Sequence, residues 1–179
     1  SSMAIPCGLF TNYFLIVSQL YPHKNIDLAI EAFKFLDDIN LVIVGDGPER
    51  KKLEELIGDR VNIKLLGFVP DERLPDYYQN CLAYLICNEE DFGLSPVEAM
   101  SFGKPVLAYK IGGVTESVLD GKTGRFFNEL KAGVLAEAIK SLIREIKFGK
   151  FNPEKIRAQA QKFGFERFKK EVLAIVKGL

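Results

Sequence analysis

A single histidine, three cysteines and no surplus of either charge leave few chemistries open to this 179-residue chain. One imidazole, His23, excludes any site that needs two. Cys7, Cys81 and Cys87 are odd in number and contain no Cys-x-x-Cys pair; the last two flank the apolar run 82–86, where a small buried thiol packs well. Neither a disulfide framework nor a zinc site follows, and a reducing compartment fits best. With 24 basic and 24 acidic side chains, the positive surplus that phosphate-backbone binding requires is missing, so nucleic acid is not an expected partner. Basic residues do gather from Lys147 to Lys170, interleaved with apolar ones at helical spacing, which reads as a solvated helix face. No apolar stretch approaches the about 18–20 residues that cross a bilayer, and no signal peptide is evident, so a soluble, cytoplasmic chain is expected. There is no Gly-x-x-x-x-Gly-Lys-Ser/Thr loop and no Gly-x-Ser-x-Gly elbow. Gly45-Asp46-Gly47-Pro48 follows a strand, but Arg50 stands where a dinucleotide fingerprint has its third glycine, so a nicotinamide-type oxidoreductase is not supported.

What is present is an alternation. Short β-rich apolar runs at 14–18, 41–45, 63–66, 82–86, 106–109 and 125–127 are separated by amphipathic segments. Runs of this kind read as buried parallel strands covered on both faces. Ile26, Ala29, Ile30 and Phe33 form one helical stripe. Pro48 is placed to open a helix carrying Leu53, Leu56 and Ile57. Ser95-Pro96-Val97-Glu98 combines an N-cap, a first-turn proline and a third-position glutamate, and Gly103 can close that helix. A longer helix carries Val134, Leu135, Ala138, Ile139, Leu142 and Ile143, and Asn152-Pro153 opens another. After Gly164, the residues Phe165, Phe168, Val172, Ile175 and Val176 line a last one. The expected fold is α/β: a doubly wound, Rossmann-like domain of about six mainly parallel strands with a C-terminal helical tail. Residues 1–12 are expected to be a leader, with Ser1-Ser2 before Met3 consistent with an engineered start. Residues 13–179 form one unit, including a final helix at about 165–177.

Ligands of an open α/β sheet bind outside the carboxyl ends of its strands, here the loops 18–25, 45–48, 67–72, 87–96, 109–114 and 127–130. Three carry unusual chemistry. In 88–98, three consecutive acids follow a strand, and glycine then leads into a helix whose N–H groups, from Gly93 to Val97, would form an anion site. Acids beside an anion site are explained if they accept hydrogen bonds from something else, such as sugar hydroxyls. Glu98 can equally bond its own helix start as a capping-box residue, and Glu90 can be a solvated loop acid. In 18–25, Lys24 can reach across the strand ends to a phosphate or stand as a surface lysine, and His23 reads as a helix-start or packing residue. In 109–114, Gly112 and Gly113 allow positive φ and close approach to a ligand, or a plain tight turn.

Taken in order, these segments resemble the donor-binding half of the group 1 (family 4) glycosyltransferases, which have the GT-B fold, over about residues 14–176. Glu90-x7-Glu98, written through Asp91-Phe92-Gly93-Leu94-Ser95-Pro96, is the most specific element. Val44-Gly45-Asp46-Gly47-Pro48, Gly67-Phe68-Val69-Pro70, the run Glu98 to Val106, Gly112-Gly113-Val114-Thr115-Glu116 and Gly121-Lys122-Thr123-Gly124 match in the same register. The resemblance implies a retaining transferase that moves a hexose from a nucleoside diphosphate sugar, GDP-mannose or a UDP-hexose, to a glycan, lipid or small acceptor. Residues 21–24 are similar to mannosyltransferase relatives. Glu98 would hold the ribose hydroxyls, and Glu90, the residue nearest catalysis, would contact the donor sugar. Lys24 would bind the diphosphate together with backbone N–H groups of Leu94 and Ser95, with Gln19, Phe92, Gly93 and Gly112 in the same donor-binding set. Backbone around Phe68, Val69 and Asp71 would meet the base. No cofactor and no metal would be required, which fits the lack of an Asp-x-Asp motif.

Two departures qualify this. The family triplet Gly-Arg-Leu is Ser18-Gln19-Leu20 here, and glutamine supplies no positive charge to a phosphate. The acceptor-binding N-terminal half has no counterpart, so the chain alone is expected to be inactive. The helix at about 165–177 would pack on that missing half, and the full-length protein could meet the inner face of a membrane. A nucleotide-sugar epimerase half and a degenerate, non-catalytic binding module are the alternatives.

Overall fold

The computed structural model describes residue 10, residues 12–89 and residues 94–163. The leader, apart from residues 10 and 12, and the expected helix at about 165–177 lie outside the described residues. Six strands form one all-parallel sheet in the order β3-β2-β1-β4-β5-β6: β1 Tyr13–Val17, β2 Asn40–Val44, β3 Ile63–Leu65, β4 Ala83–Ile86, β5 Val106–Tyr109 and β6 Gly124–Phe127. Between them run α1 Ile26–Phe33, α2 Arg50–Ile57, α3 Leu74–Asn80, α4 Leu94–Ser101 and α5 Val114–Ser117, with α6 Ala132–Lys147 and α7 Pro153–Gln161 after the last strand. The expected Rossmann-like architecture is present, and strand ends differ from expectation by a residue or so.

The unbroken apolar strands follow from burial on both faces. Phe14, Ile16, Leu41, Ile43 and Leu85 point into one core, filled from the helices by Ile30, Phe33, Leu53, Leu135 and Ile139. Tyr13, Leu15, Val42, Val44 and Tyr84 point into the other, filled by Tyr77, Tyr78, Met100, Val114 and Ile156. Three elements differ from the sequence reading. Pro48 lies ahead of α2, because the Glu49 N–H is used on the Leu20 carbonyl (3.0 Å) and the helix begins at Arg50. A 3-10 turn occupies Pro22–Lys24. Helix α3 was not anticipated, although Leu74, Tyr77, Tyr78 and Cys81 carry the i, i+3, i+4, i+7 spacing of a buried face. As expected, Asn152 caps α7, accepting from the N–H groups of Glu154 (2.9 Å) and Lys155 (3.1 Å). Helix α7 packs on α4. Among the described residues no helix is long and apolar enough to cross a membrane.

Two polar devices hold the ends of the sheet. Asn62, 5% exposed, donates its side-chain amide to the carbonyls of Phe33 (3.2 Å), Leu36 (3.1 Å) and Ile39 (3.1 Å), satisfying the end of α1 and the loop beyond it. At the opposite edge Arg125 of β6 forks onto Glu145 of α6, with Nε to Oε2 at 2.8 Å, and Lys150 adds a bond to Oε1 at 2.9 Å. The Arg125 hydrogen bonds hold the Glu145 carboxyl at about 2, below its ordinary 4.5.

Asn62→Ala removes the amide from three carbonyls, of which those of Phe33 and Leu36 keep a backbone N–H, and should cost about 2–3 kcal/mol. That lowers the thermal midpoint by about 4–10 °C for a chain of this size; a fall below about 1 °C would show that water replaces the amide at no cost. Because the folded Glu145 titrates lower than the unfolded one, its contribution is complete above pH 4.5 and is lost as pH falls toward about 2. Glu145→Gln should therefore be less stable than the parent at pH 7, with the two curves converging between pH 4.5 and 2. A gap that stays constant through that window, followed by thermal or urea unfolding, contradicts the assignment.

Candidate nucleotide-binding edge

The sheet order sends the chain from β1 outward through β2 and β3, and from β4 outward in the other direction through β5 and β6. Helical connections therefore diverge above the seam between β1 and β4, and a small cleft opens there, bordered by Val17, Ser18, Ile86 and Asn88. Two side chains stitch this seam. Tyr84 of β4 donates its hydroxyl to the Val17 carbonyl at 3.0 Å. Asn25 donates its amide to the Cys87 carbonyl, also at 3.0 Å. Asn25 is in the left-handed region (φ 52°), one of the few conformations in which asparagine is favoured, and it joins the Pro22–Lys24 turn to α1. The half-buried Lys24 thus sits on a turn fastened to the end of β4. His23 is exposed and stacks on Tyr21 (centroids 5.9 Å), the packing role read from sequence.

The Gly45-Asp46-Gly47 segment has a backbone task. It lies directly against the loop after β1: Ser18 N–H bonds Val44 O, and Leu20 N–H bonds Asp46 O, both at 3.0 Å. A Cβ on Gly45 (φ 135°) would stand 1.8 Å from the Ser18 carbonyl oxygen, and one on Gly47 would stand 2.7 Å from that of Leu20. This locks the loop and leaves Gln19 exposed at its tip.

After β4 the structure corrects one expectation. Helix α4 starts at Leu94, so Ser95 lies inside its first turn rather than at the N-cap. Among the described residues no bond runs from Ser95 N–H to the Glu98 carboxylate; its Oε2 accepts from the Tyr78 hydroxyl of α3 at 2.8 Å. Glu98 and Leu94 are exposed, the latter by 69%, and Ser95 is half-buried. Glu90, Phe92 and Gly93 lie outside the described residues. After β3, Phe68 is 75% exposed, Val69 half-buried and Asp71 exposed. After β5, Gly112 adopts φ 70°, as a glycine-dependent turn requires, and its carbonyl accepts from the Thr115 hydroxyl at 2.8 Å. Gln19, Lys24, Phe68, Val69, Asp71, Leu94, Ser95, Glu98 and Gly112 therefore all follow the carboxyl ends of strands, on one edge of the sheet. Burial pushes the Cys81 thiol up to about 12 and the Cys87 thiol higher still, so both are inert packing groups. Among the described residues, no group of three or more His, Cys, Asp or Glu is arranged to hold a metal ion.

Sequence reasoning missed Tyr78 and Asn25. The first belongs to a helix whose spacing was legible. The second announces itself only through its φ angle.

A family model described as glycosyl transferases group 1 matches residues 10–163. The chain is 31% identical over 159 residues to an uncharacterised glycosyltransferase of Methanocaldococcus jannaschii, covering 87% of this chain and 45% of that protein. It is 29% identical to the GDP-mannose-dependent phosphatidylinositol monomannoside mannosyltransferase of Mycolicibacterium smegmatis, covering 72% of this chain and 38% of that one. Among solved structures, the Anabaena protein HepE in complex with UDP and glucose superposes with a TM-score of 0.82 at 27% identity, over 94% of this chain and 49% of that chain. The chain thus spans about half the length of the relatives it matches, or less.

Gly45→Ala should lose about 3 kcal/mol or more, since the methyl cannot coexist with the Ser18 carbonyl. Gly133→Ala in α6, where an added Cβ meets nothing within 4 Å, should instead gain about 0.5–1 kcal/mol from helix propensity. Urea unfolding of the pair tests this, and equal effects would refute a specific backbone contact at Gly45.

Proposed function

This chain belongs to the group 1 glycosyl transferases, and from that premise we propose that it binds the nucleoside diphosphate sugar donor of a retaining hexosyl transfer. The carrying observation is the gathering, on the edge where the connections from β1 and β4 diverge, of a turn bearing Lys24, the described start of α4 and the exposed carboxylate of Glu98. Glu98 accepts the ribose hydroxyls. Lys24 and the N–H groups of Leu94 and Ser95 meet the diphosphate, where a cation and the positive end of a helix oppose its charge without a metal. Gln19 offers a hydrogen bond at the loop tip but no charge. The backbone at Phe68, Val69 and Asp71 borders the base, and Gly112 lets the β5 loop approach the donor closely. Glu90 would contact the donor sugar, and Phe92 and Gly93 belong to the same donor-binding set, as the family resemblance implies.

The chemistry asked of this half is orientation and charge neutralisation. Holding the leaving diphosphate against fixed N–H dipoles stabilises the negative charge that grows as the glycosidic bond breaks. A second domain brings the acceptor, so the chain by itself binds donor and does not transfer. Family membership favours this reading over the epimerase alternative. The donor is GDP-mannose or a UDP-hexose, in keeping with the GDP-mannose-dependent relative and the UDP-bound neighbour. The full-length protein works in the cytoplasm, and a lipid acceptor would bring it to the inner face of the membrane.

Differential scanning fluorimetry with GDP-mannose and UDP-glucose tests the proposal. One of them, at about 100 times its Kd, should raise the thermal midpoint by about 5–10 °C, and Glu98→Ala should remove most of that rise. No shift with either nucleotide sugar at millimolar concentration would refute donor binding.

A further inference from the structure

Glu98 is exposed, yet its carboxylate is held. The Tyr78 hydroxyl donates to Oε2 at 2.8 Å, and the Tyr78 ring is itself 2% exposed. That ring packs against two others. Phe102, one turn after Glu98 on the same side of α4, stacks on it almost parallel (centroids 5.6 Å, 9°), and Tyr84 of β4 packs against it at 6.0 Å. Tyr84 is fixed in turn by its bond to the Val17 carbonyl, and α3 is anchored to β1 by the Tyr13 hydroxyl on the Tyr77 carbonyl at 2.8 Å. A ring so confined has one place to put its hydroxyl. Burial and the adjacent Glu98 both raise the phenol's ionisation far above neutral pH, so it always donates.

We propose that Tyr78 is a positioning residue for donor binding: it fixes the Glu98 carboxylate in the orientation that receives the ribose hydroxyls. This rests on the ribose role given to Glu98 above. A carboxylate offers about four acceptor positions. Tyr78 takes one of them, and among the described residues no other group donates to the Glu98 carboxylate, so enough remain for the two hydroxyls of a ribose. A free glutamate on an exposed helix face would sample several rotamers and lose that freedom on binding. Here the loss is taken during folding, in a stack of rings that the core supports. The hydrogen bond is therefore not a generic tie between α3 and α4, because the ring stack already joins them.

Tyr78→Phe removes the hydroxyl and keeps the stack. Calorimetric titration with UDP and GDP, each beside its 2′,3′-dideoxy counterpart, separates positioning from scaffolding. The parent should prefer the ribonucleotide. Tyr78→Phe should weaken it by about tenfold, near the value of one hydrogen bond to a charged group, and leave the dideoxy form within about twofold. In a Glu98→Gln background the same change should do much less, since the group being positioned has lost its charge. Phe102→Leu, which keeps the hydroxyl but loosens the ring, should give a smaller loss confined to the ribonucleotide. Equal weakening of both nucleotides, or no change in a parent that discriminates them, overturns the positioning role alone. A parent that binds both equally overturns the ribose role of Glu98 and this inference with it.

Discussion

The pairing of β1 with β4, in the register Phe14 to Ala83 and Leu15 to Tyr84, is the contact on which the binding edge depends. The two strands are separated by some 70 positions of chain, and the intervening segment must leave β1 on one side and return to β4 on the other. Right-handed crossovers then send the helices to opposite faces, and the cleft between strand ends needs no further design. Few backbone bonds hold this seam. Leu82 N–H to Tyr13 O at 2.8 Å supports its base, while Tyr84 and Asn25 close its top with side-chain bonds to the Val17 and Cys87 carbonyls. Two carbonyls that would otherwise face the cleft unpaired are thereby satisfied, and the loops after both strands are set relative to each other.

A second constraint is how closely main chain meets main chain. The loops after β1, β2 and β3 are tied in sequence, with Gly45 N–H reaching Gly67 O at 2.8 Å and the segment beyond it lying on residues 18–20. Rigidity of these three loops comes largely from backbone contact, which leaves Gln19 and Phe68 exposed on fixed supports. Similar reasoning explains Gly103. Its left-handed φ of 73° closes α4, and a side chain there would press on Pro153 at 2.9 Å, just where α7 crosses.

The strands and their helices were legible because burial on both faces writes a continuous apolar code, and each crevice loop could be numbered before any coordinate was known. The capping box was misread for a physical reason. Ser-Pro-Val-Glu is compatible with an N-cap at Ser95 or with a helix begun one residue earlier, and local sequence does not choose between them. Nor does local sequence announce the long-range partner that Glu98 has, the hydroxyl of Tyr78 20 residues upstream. Helix α3 was overlooked because it spans only seven residues and carries a proline near its start, although its Leu74, Tyr77, Tyr78 and Cys81 spacing was readable. Asn25 and Gly45 have roles set by φ angles and close approach, which composition does not report. The roles of Lys24, Glu98 and their neighbours toward a donor come from resemblance and chemistry, not from periodicity.

Several polar contacts serve the fold alone. Asn62, the Arg125–Glu145 pair and the Asn152 cap satisfy their partners within the chain and lie away from the binding edge. At the proposed edge Phe68 and Leu94 present 75% and 69% of their surface to water, as Val61 and Phe148 do elsewhere (85% and 88%). Single exposed apolar side chains are ordinary. In the proposed site, Phe68 after β3 and Leu94 in α4 would add apolar surface to what a base, a ribose and a diphosphate cover. Apolar contact with the base or a facing domain would offset part of the cost of removing Glu98 and Lys24 from water. Within the proposed function, Tyr78 lowers another part by ordering the carboxylate beforehand. Affinity at such a site depends less on the area a donor buries than on how many of its partners are already in place.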